Sequence, residues 1–177
     1  PSWSHLDEPV QLVVAGRAGE RVQSAAKLLA TAGAAAGLRA SLRTDNPVTQ
    51  GRGFSLAELT LSPRHVRWTG LEQPELAIVT APEGLAQLAP RGLLTGPGAA
   101  RRVLLDESLE APADAVVERE PLRKRYGPQA AALGAVVQSV HASGWLDPPA
   151  WQAALATLPE AIASSSRRVL EKAGVEA

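Results

Sequence analysis

The stretch that most constrains the fold is residues 10–36. It opens Val10-Gln11-Leu12-Val13-Val14-Ala15, turns at Gly16-Arg17-Ala18-Gly19 and continues as one run to Ala36. A short apolar run rich in β-branched residues that ends in a glycine turn and passes directly into helical spacing is how a buried strand hands over to a helix. Val22, Ala25, Ala26, Leu28, Leu29, Ala32 and Ala36 fall on one helical face, with Arg21, Gln23, Ser24, Lys27 and Thr31 mostly on the other. Gly37 is a suitable stop, because glycine takes the left-handed conformation at a helix end. Glycines in the turn would let a bound group approach the backbone, and the first helical N–H groups would face it with the positive end of the dipole. The turn is thus an anion-site candidate. It holds only Gly16 and Gly19 of a three-glycine dinucleotide fingerprint, so a plain strand-to-helix turn stands as the alternative.

Downstream, short strands are expected at 38–42, 54–61, 76–80, 103–105 and 115–117, the last carrying Glu118 at its end. Helices are expected at 82–88, from 128 to about 144, at 148–158 with Asp147 as N-cap, and at 159–173. In 54–61, Ser55, Ala57, Leu59 and Leu61 share one face while Phe54, Leu56, Glu58 and Thr60 share the other. Strands separated by helical stretches predict a three-layer α/β/α domain with a mostly parallel sheet, Rossmann-like, closed by a helical C-terminus. The polar stretch 43–53 has a length often associated with function, a solvated connection being the alternative.

A chain of 177 residues suits one domain, expected over 9–177, with 1–8 as a linker or flexible start. There is no methionine, even at position 1, so the chain is expected to begin inside a longer polypeptide or to have lost its start. The 18 basic and 18 acidic residues cancel, and the longest like-charge block is Arg123-Lys124-Arg125, which argues against a nucleic-acid partner. No cysteine is present, which excludes disulfides, thiolate metal sites, cysteine-held iron–sulfur clusters and a cysteine nucleophile. No apolar run reaches the roughly 18 residues needed to span a bilayer, and the start lacks the pattern of a signal peptide, so a soluble cytoplasmic protein is expected.

His5, His65 and His141 are scattered without metal-ligand spacing. No serine sits in a Gly-x-Ser-x-Gly elbow, and Lys27 lies two turns into the helix instead of at its start, so hydrolase and phosphoryl-transfer chemistry have no foothold. Arg17, Arg21 and Arg52 are placed near the carboxyl ends of neighbouring strands, where open α/β sheets bind ligands, although surface arginines often have no such role.

The order Gly16-Arg17-Ala18-Gly19-Glu20-Arg21-Val22 followed by Ser24-Ala25-Ala26-Lys27-Leu28-Leu29-Ala30 resembles the start of the γ subunit or γ domain of 2-oxoacid:ferredoxin oxidoreductases, where a Gly-x-Gly-Gly-Gln-Gly loop leads into such a helix. The resemblance continues through Asn46-Pro47-Val48-Thr49, Arg52-Gly53-Phe54-Ser55-Leu56-Ala57-Glu58-Leu59, Leu61-Ser62-Pro63 and Thr69-Gly70-Leu71. It also takes in the 76–80 strand with Ala81-Pro82-Glu83-Gly84-Leu85, and Ala132-Leu133-Gly134-Ala135, so it covers nearly the whole chain. Ala18, Glu20 and Arg21 replace glycine, glutamine and glycine of the commoner loop, which marks a divergent branch.

The resemblance implies a component of an enzyme that oxidatively decarboxylates a pyruvate-like 2-oxoacid to an acyl-CoA, inactive alone. Thiamine diphosphate and iron–sulfur clusters would sit on partner subunits or domains, and this chain would supply scaffold and contacts on the coenzyme A or substrate side. It supplies no catalytic residue and no metal ligand on this reading. Gly16, Arg17, Gly19, Asn46, Thr49, Arg52 and Gly53 are its expected cofactor-binding residues, on two edges of one cleft that a partner completes. The alternative is a free-standing nucleotide- or coenzyme-binding module without catalytic activity.

Overall fold

The computed structural model describes residues 2–47, 53–66 and 72–176. Its elements in chain order are β1 (Val10–Arg17), α1 (Val22–Ala35), β2 (Arg39–Asp45), β3 (Phe54–Ser62), β4 (Leu76–Val79), α2 (Pro82–Leu88), β5 (Arg102–Asp106), β6 (Glu118–Glu120), α3 (Leu122–Tyr126), α4 (Ala131–Ser143), α5 (Pro148–Leu155) and α6 (Glu160–Lys172). One six-stranded sheet has the order β2-β3-β1-β4-β5-β6. β1, β4, β5 and β6 are parallel neighbours, while β3 is antiparallel to both β1 and β2. The mostly parallel sheet is therefore present, with β3 running against the other five strands. A parallel return needs a crossover of a dozen or more residues, and the connection 46–53 is too short to supply one.

The period-2 alternation sorts strand side chains onto two faces. Leu12, Val14, Leu59, Leu61, Ile78 and Leu104 join α1, α4, α5 and α6 in one core, around the fully buried Trp151. Val13, Ala15, Leu56, Val79 and Leu105 face a second core, completed by Leu88 of α2 and by Leu93, Leu94 and Leu109 from the following loops. Strand β1 is buried along almost its whole length on both faces, as its apolar run Leu12–Ala15 requires. The partition read for 54–61 holds: Ala57, Leu59 and Leu61 enter one core, Leu56 and Phe54 the other.

Two elements differ from the sequence reading. The expected strand 115–117 lies outside the sheet, with Val116 90% exposed, and β6 is instead Glu118–Glu120. At that edge Arg102 Nη2 of β5 meets Glu118 Oε2 of β6 at 3.1 Å, and Val117 packs partly against the second core. Residues 43–45, read as the start of a polar loop, instead complete β2 and pair with β3, Arg43 opposite Glu58 and Asp45 opposite Leu56; the short helix α3 carries the block Arg123-Lys124-Arg125. Asp147 does precede α5 but makes no side-chain cap; its carboxylate meets His5 Nε2 at 2.9 Å. That contact, the bridge between Ser4 and Leu146 and the bonds His5 N to Trp145 O and Asp147 N to Trp3 O hold the opening segment against the start of α5. Among the described residues, no helix is long and apolar enough to cross a membrane.

Candidate functional site

Because β1, β2, β4, β5 and β6 all point one way, their carboxyl ends and the turns that follow collect on one edge of the sheet. The turn 18–21 after β1, the end of β2, the entry to α2, the turn after β5 and the start of α3 meet there. Ligands of open α/β sheets bind in this position.

Gly16 is the penultimate residue of β1, where any Cβ would collide with the Thr80 hydroxyl and the Val22 side chain. Glycine here serves close packing of β1 against β4 and α1. Gly19 sits in the left-handed region at φ +84°, which glycine adopts without steric cost, and is exposed. Arg21 is also left-handed, at φ +61°, and forms the N-cap of α1 without a side-chain cap bond. The backbone thus keeps a glycine-like shape at a position that holds arginine.

Arg17 ends β1, and its Nε donates to Glu83 Oε2 at 2.9 Å. Burial disfavours ionisation of Glu83, but the Arg17 hydrogen bond and charge outweigh it and hold the carboxyl below its usual range. The opposite side of the turn is closed by a pair that sequence reasoning missed. Glu20 is 6% exposed, and both its oxygens accept from Arg123, Nη1 to Oε1 and Nη2 to Oε2, each at 2.8 Å. Arg123 Nη1 also donates to Thr80 O at 3.1 Å, and its backbone N–H donates to Asp106 Oδ1 at 2.9 Å. The hydrogen bonds to Glu20, against opposing desolvation, raise the Arg123 pKa further above its ordinary value. Burial pushes the Asp106 carboxyl up, yet bonds from the Ser108 hydroxyl, the Arg123 N–H and the Ser108 N–H bring it below its ordinary range. The turn is therefore tied to β4, β5 and α3 by alternating charges, and Arg17 is neutralised within the chain.

Of the other expected site residues, Asn46 is exposed just past β2. Gly53 is buried, and its carbonyl accepts from Ala18 N at 2.9 Å, which brings the residue that enters β3 against the glycine turn. Thr49 and Arg52 lie outside the described residues. The register pairs Gly16 with Ser55 and Arg17 with Phe54, so the two loops share one sheet edge. Two cavities of about 330 and 360 Å³ lie elsewhere, one beside Arg102, Glu118 and Lys172, the other between Ser4, Gly37 and Pro63. Among the described residues no group of three or more His, Asp or Glu side chains is placed to hold a metal ion. With no cysteine in the chain, the donor set does not fit an iron–sulfur cluster.

These features define a class: a mostly parallel α/β domain with one antiparallel strand inserted beside a strand–glycine turn–helix unit. No protein-family model and no curated protein matches the sequence. Solved structures share the fold. The γ subunit of keto/oxoacid ferredoxin oxidoreductase from Geobacter sulfurreducens PCA superposes with a TM-score of 0.68 at 18% identity, covering 93% of this chain and 94% of that one. Pyruvate oxidoreductase subunit PORC from Thermotoga maritima gives 0.69 at 15% identity, covering 94% and 96%. A 2-oxoglutarate:ferredoxin oxidoreductase from Magnetococcus marinus, solved with 2-oxoglutarate, coenzyme A and succinyl-CoA bound, gives 0.75 at 16% identity. There the match covers 96% of this chain but spans only 31% of the longer one. The chain has the fold of these oxidoreductase components.

Proposed function

We propose that this chain is the γ subunit or γ domain of a 2-oxoacid:acceptor oxidoreductase. The observation that carries the reading is the end-to-end match, over more than nine-tenths of both chains, to two separate subunits of such enzymes. The reaction served is oxidative decarboxylation: a 2-oxoacid and coenzyme A give an acyl-CoA and carbon dioxide, with two electrons passed to an acceptor such as ferredoxin. Thiamine diphosphate supplies the carbanion chemistry when bound, and it and the clusters belong to partner subunits. The present chain contributes no nucleophile, acid or base. Its part is scaffold and ligand contact within a cytoplasmic complex.

On this reading Gly16, Arg17, Gly19, Asn46, Thr49, Arg52 and Gly53 border a cleft on the coenzyme A or substrate side that a partner completes. The contact between Ala18 N and Gly53 O supports treating the two loops as one border. The internal pairing of Arg17 with Glu83 and of Arg123 with Glu20 argues against a free-standing anion site on the isolated chain. Affinity purification of the natively expressed protein is expected to recover thiamine-diphosphate-binding partners and 2-oxoacid- and coenzyme A-dependent acceptor reduction, absent from the chain alone. Recovery as a lone protein with no such activity would overturn the assignment. Within the complex, Arg52→Ala combined with Gly19→Asp is expected to raise KM for coenzyme A or the 2-oxoacid, and unchanged kinetics would refute the ligand-border role alone.

A further inference from the structure

The sheet ends in two edges of different character. β6 is three residues long, a common way to blunt an edge against further pairing. β2 is seven residues long and exposed throughout except at Leu42, which is half-buried against the α1 core. Its inner side is fully paired with β3, from Arg39 opposite Ser62 to Asp45 opposite Leu56. The sequence of this strand, Arg39-Ala40-Ser41-Leu42-Arg43-Thr44-Asp45, has a property that suits one occupant of its outer side. When it is laid antiparallel against itself about Leu42, Arg39 falls opposite Asp45 of the second copy, and Asp45 opposite its Arg39. Leu42 meets Leu42, Ala40 meets Thr44 and Ser41 meets Arg43. Directly opposed side chains stand on the same face, so the alternation that puts Leu42 on the α1 side puts Arg39 and Asp45 together on the other. Among the described residues Asp45 makes a long contact with Arg91, Oδ2 to Nη2 at 3.7 Å, and is still about half exposed.

We propose that β2 is a self-recognition edge, through which two copies of this chain pair antiparallel about a two-fold axis at Leu42 and join their sheets into one. A two-fold contact of this kind is isologous, so each complementary pair occurs twice, and full overlap of all seven residues coincides with the register that opposes unlike charges. The inference is independent of the functional assignment, since it uses only the strand, its exposure and its charges.

Sedimentation velocity of the full chain over a concentration series tests it. The wild type is expected to dimerise with rising concentration. Arg39→Asp alone creates two Asp–Asp oppositions, and Asp45→Arg alone creates two Arg–Arg oppositions, so each is expected to weaken dimerisation at least about tenfold. When the two single variants are mixed, one copy of each can pair so that both oppositions again join an aspartate to an arginine. The mixture is therefore expected to regain the dimerisation that each variant alone has weakened. Both substitutions lie at exposed positions, and far-ultraviolet circular dichroism with thermal melts checks that each variant is folded as the wild type is. A wild type that stays monomeric throughout would overturn the proposal. So would a dimer insensitive to both single variants, or a mixture of folded variants that stays dissociated.

Discussion

Removing Arg123 while leaving Glu20 in place is the most demanding test of how the glycine turn is held. The Glu20 side chain is 8% exposed and the Arg123 side chain 22%, so the pair is mostly withdrawn from water. Arg123→Ala strips the carboxylate of both its 2.8 Å bonds and removes a donor to Thr80 O. The remaining cation nearby is Arg17, whose Nη1 stands 4.0 Å from Glu20 and which is already committed to Glu83. Breaking a buried pair from one side costs about 3–5 kcal/mol when both groups are fully enclosed; the partial exposure of Arg123 places this case near the lower figure. For a domain of this size, about 3 kcal/mol corresponds to a fall in Tm of roughly 6–12 °C. Glu20→Gln with Arg123→Met removes both charges and is expected to recover most of that loss, because the penalty arises from an unpaired buried carboxylate. Calorimetry or urea unfolding of the single and double variants reads both effects. A fall of under about 0.5 kcal/mol for Arg123→Ala, the size of an ordinary surface substitution, would show that the pair does not hold the turn.

Gly84→Ala is expected to destabilise by about 1–3 kcal/mol or more, since its Cβ would sit 2.5 Å from Ala15 O and 2.6 Å from Gly16 N, and backbone cannot yield as a flexible side chain can; a melt unchanged from wild type would refute it. Arg21→Gly is expected to stabilise by up to about 1 kcal/mol by relieving left-handed backbone strain, whereas Arg21→Val is expected to destabilise, both measurable in urea. Asp106 has its pKa lowered on folding, so its contribution to stability is complete above the ordinary aspartate range and is lost as pH falls through the lowered folded value. Asp106→Asn is accordingly expected to flatten the acid limb of the stability–pH profile, and an unaltered limb would count against that role.

The local elements are legible because local periodicity causes them. α1 is readable from Val22 to Ala32 by its apolar stripe, β1 from its apolar run Leu12–Ala15, and α2 from Pro82, which takes the first turn of a helix without losing a bond. The glycine turn and its neighbourhood are legible too, since Gly19 needs its left-handed backbone whatever surrounds it. β6 lies three residues beyond its expected place because 115–117 carries the apolar signal, while the pairing of Glu118 opposite Leu104 is a contact with another strand that local periodicity does not record.

What the amino-acid order determined by itself is thus most of the strands and helices, the cysteine-free chemistry and the sheet edge where the turns gather. Tertiary structure decided the partners of the charges. Glu20 and Arg123 lie 103 positions apart, and nothing in the spacing of either marks it as the other's counterpart. Arg17 reads in sequence as a free cation at a ligand edge, and only the placement of α2 beside β1 gives it Glu83. Periodicity records which face of an element is buried; it carries no information on which distant element covers that face, and the charge balance of this turn depends on that covering.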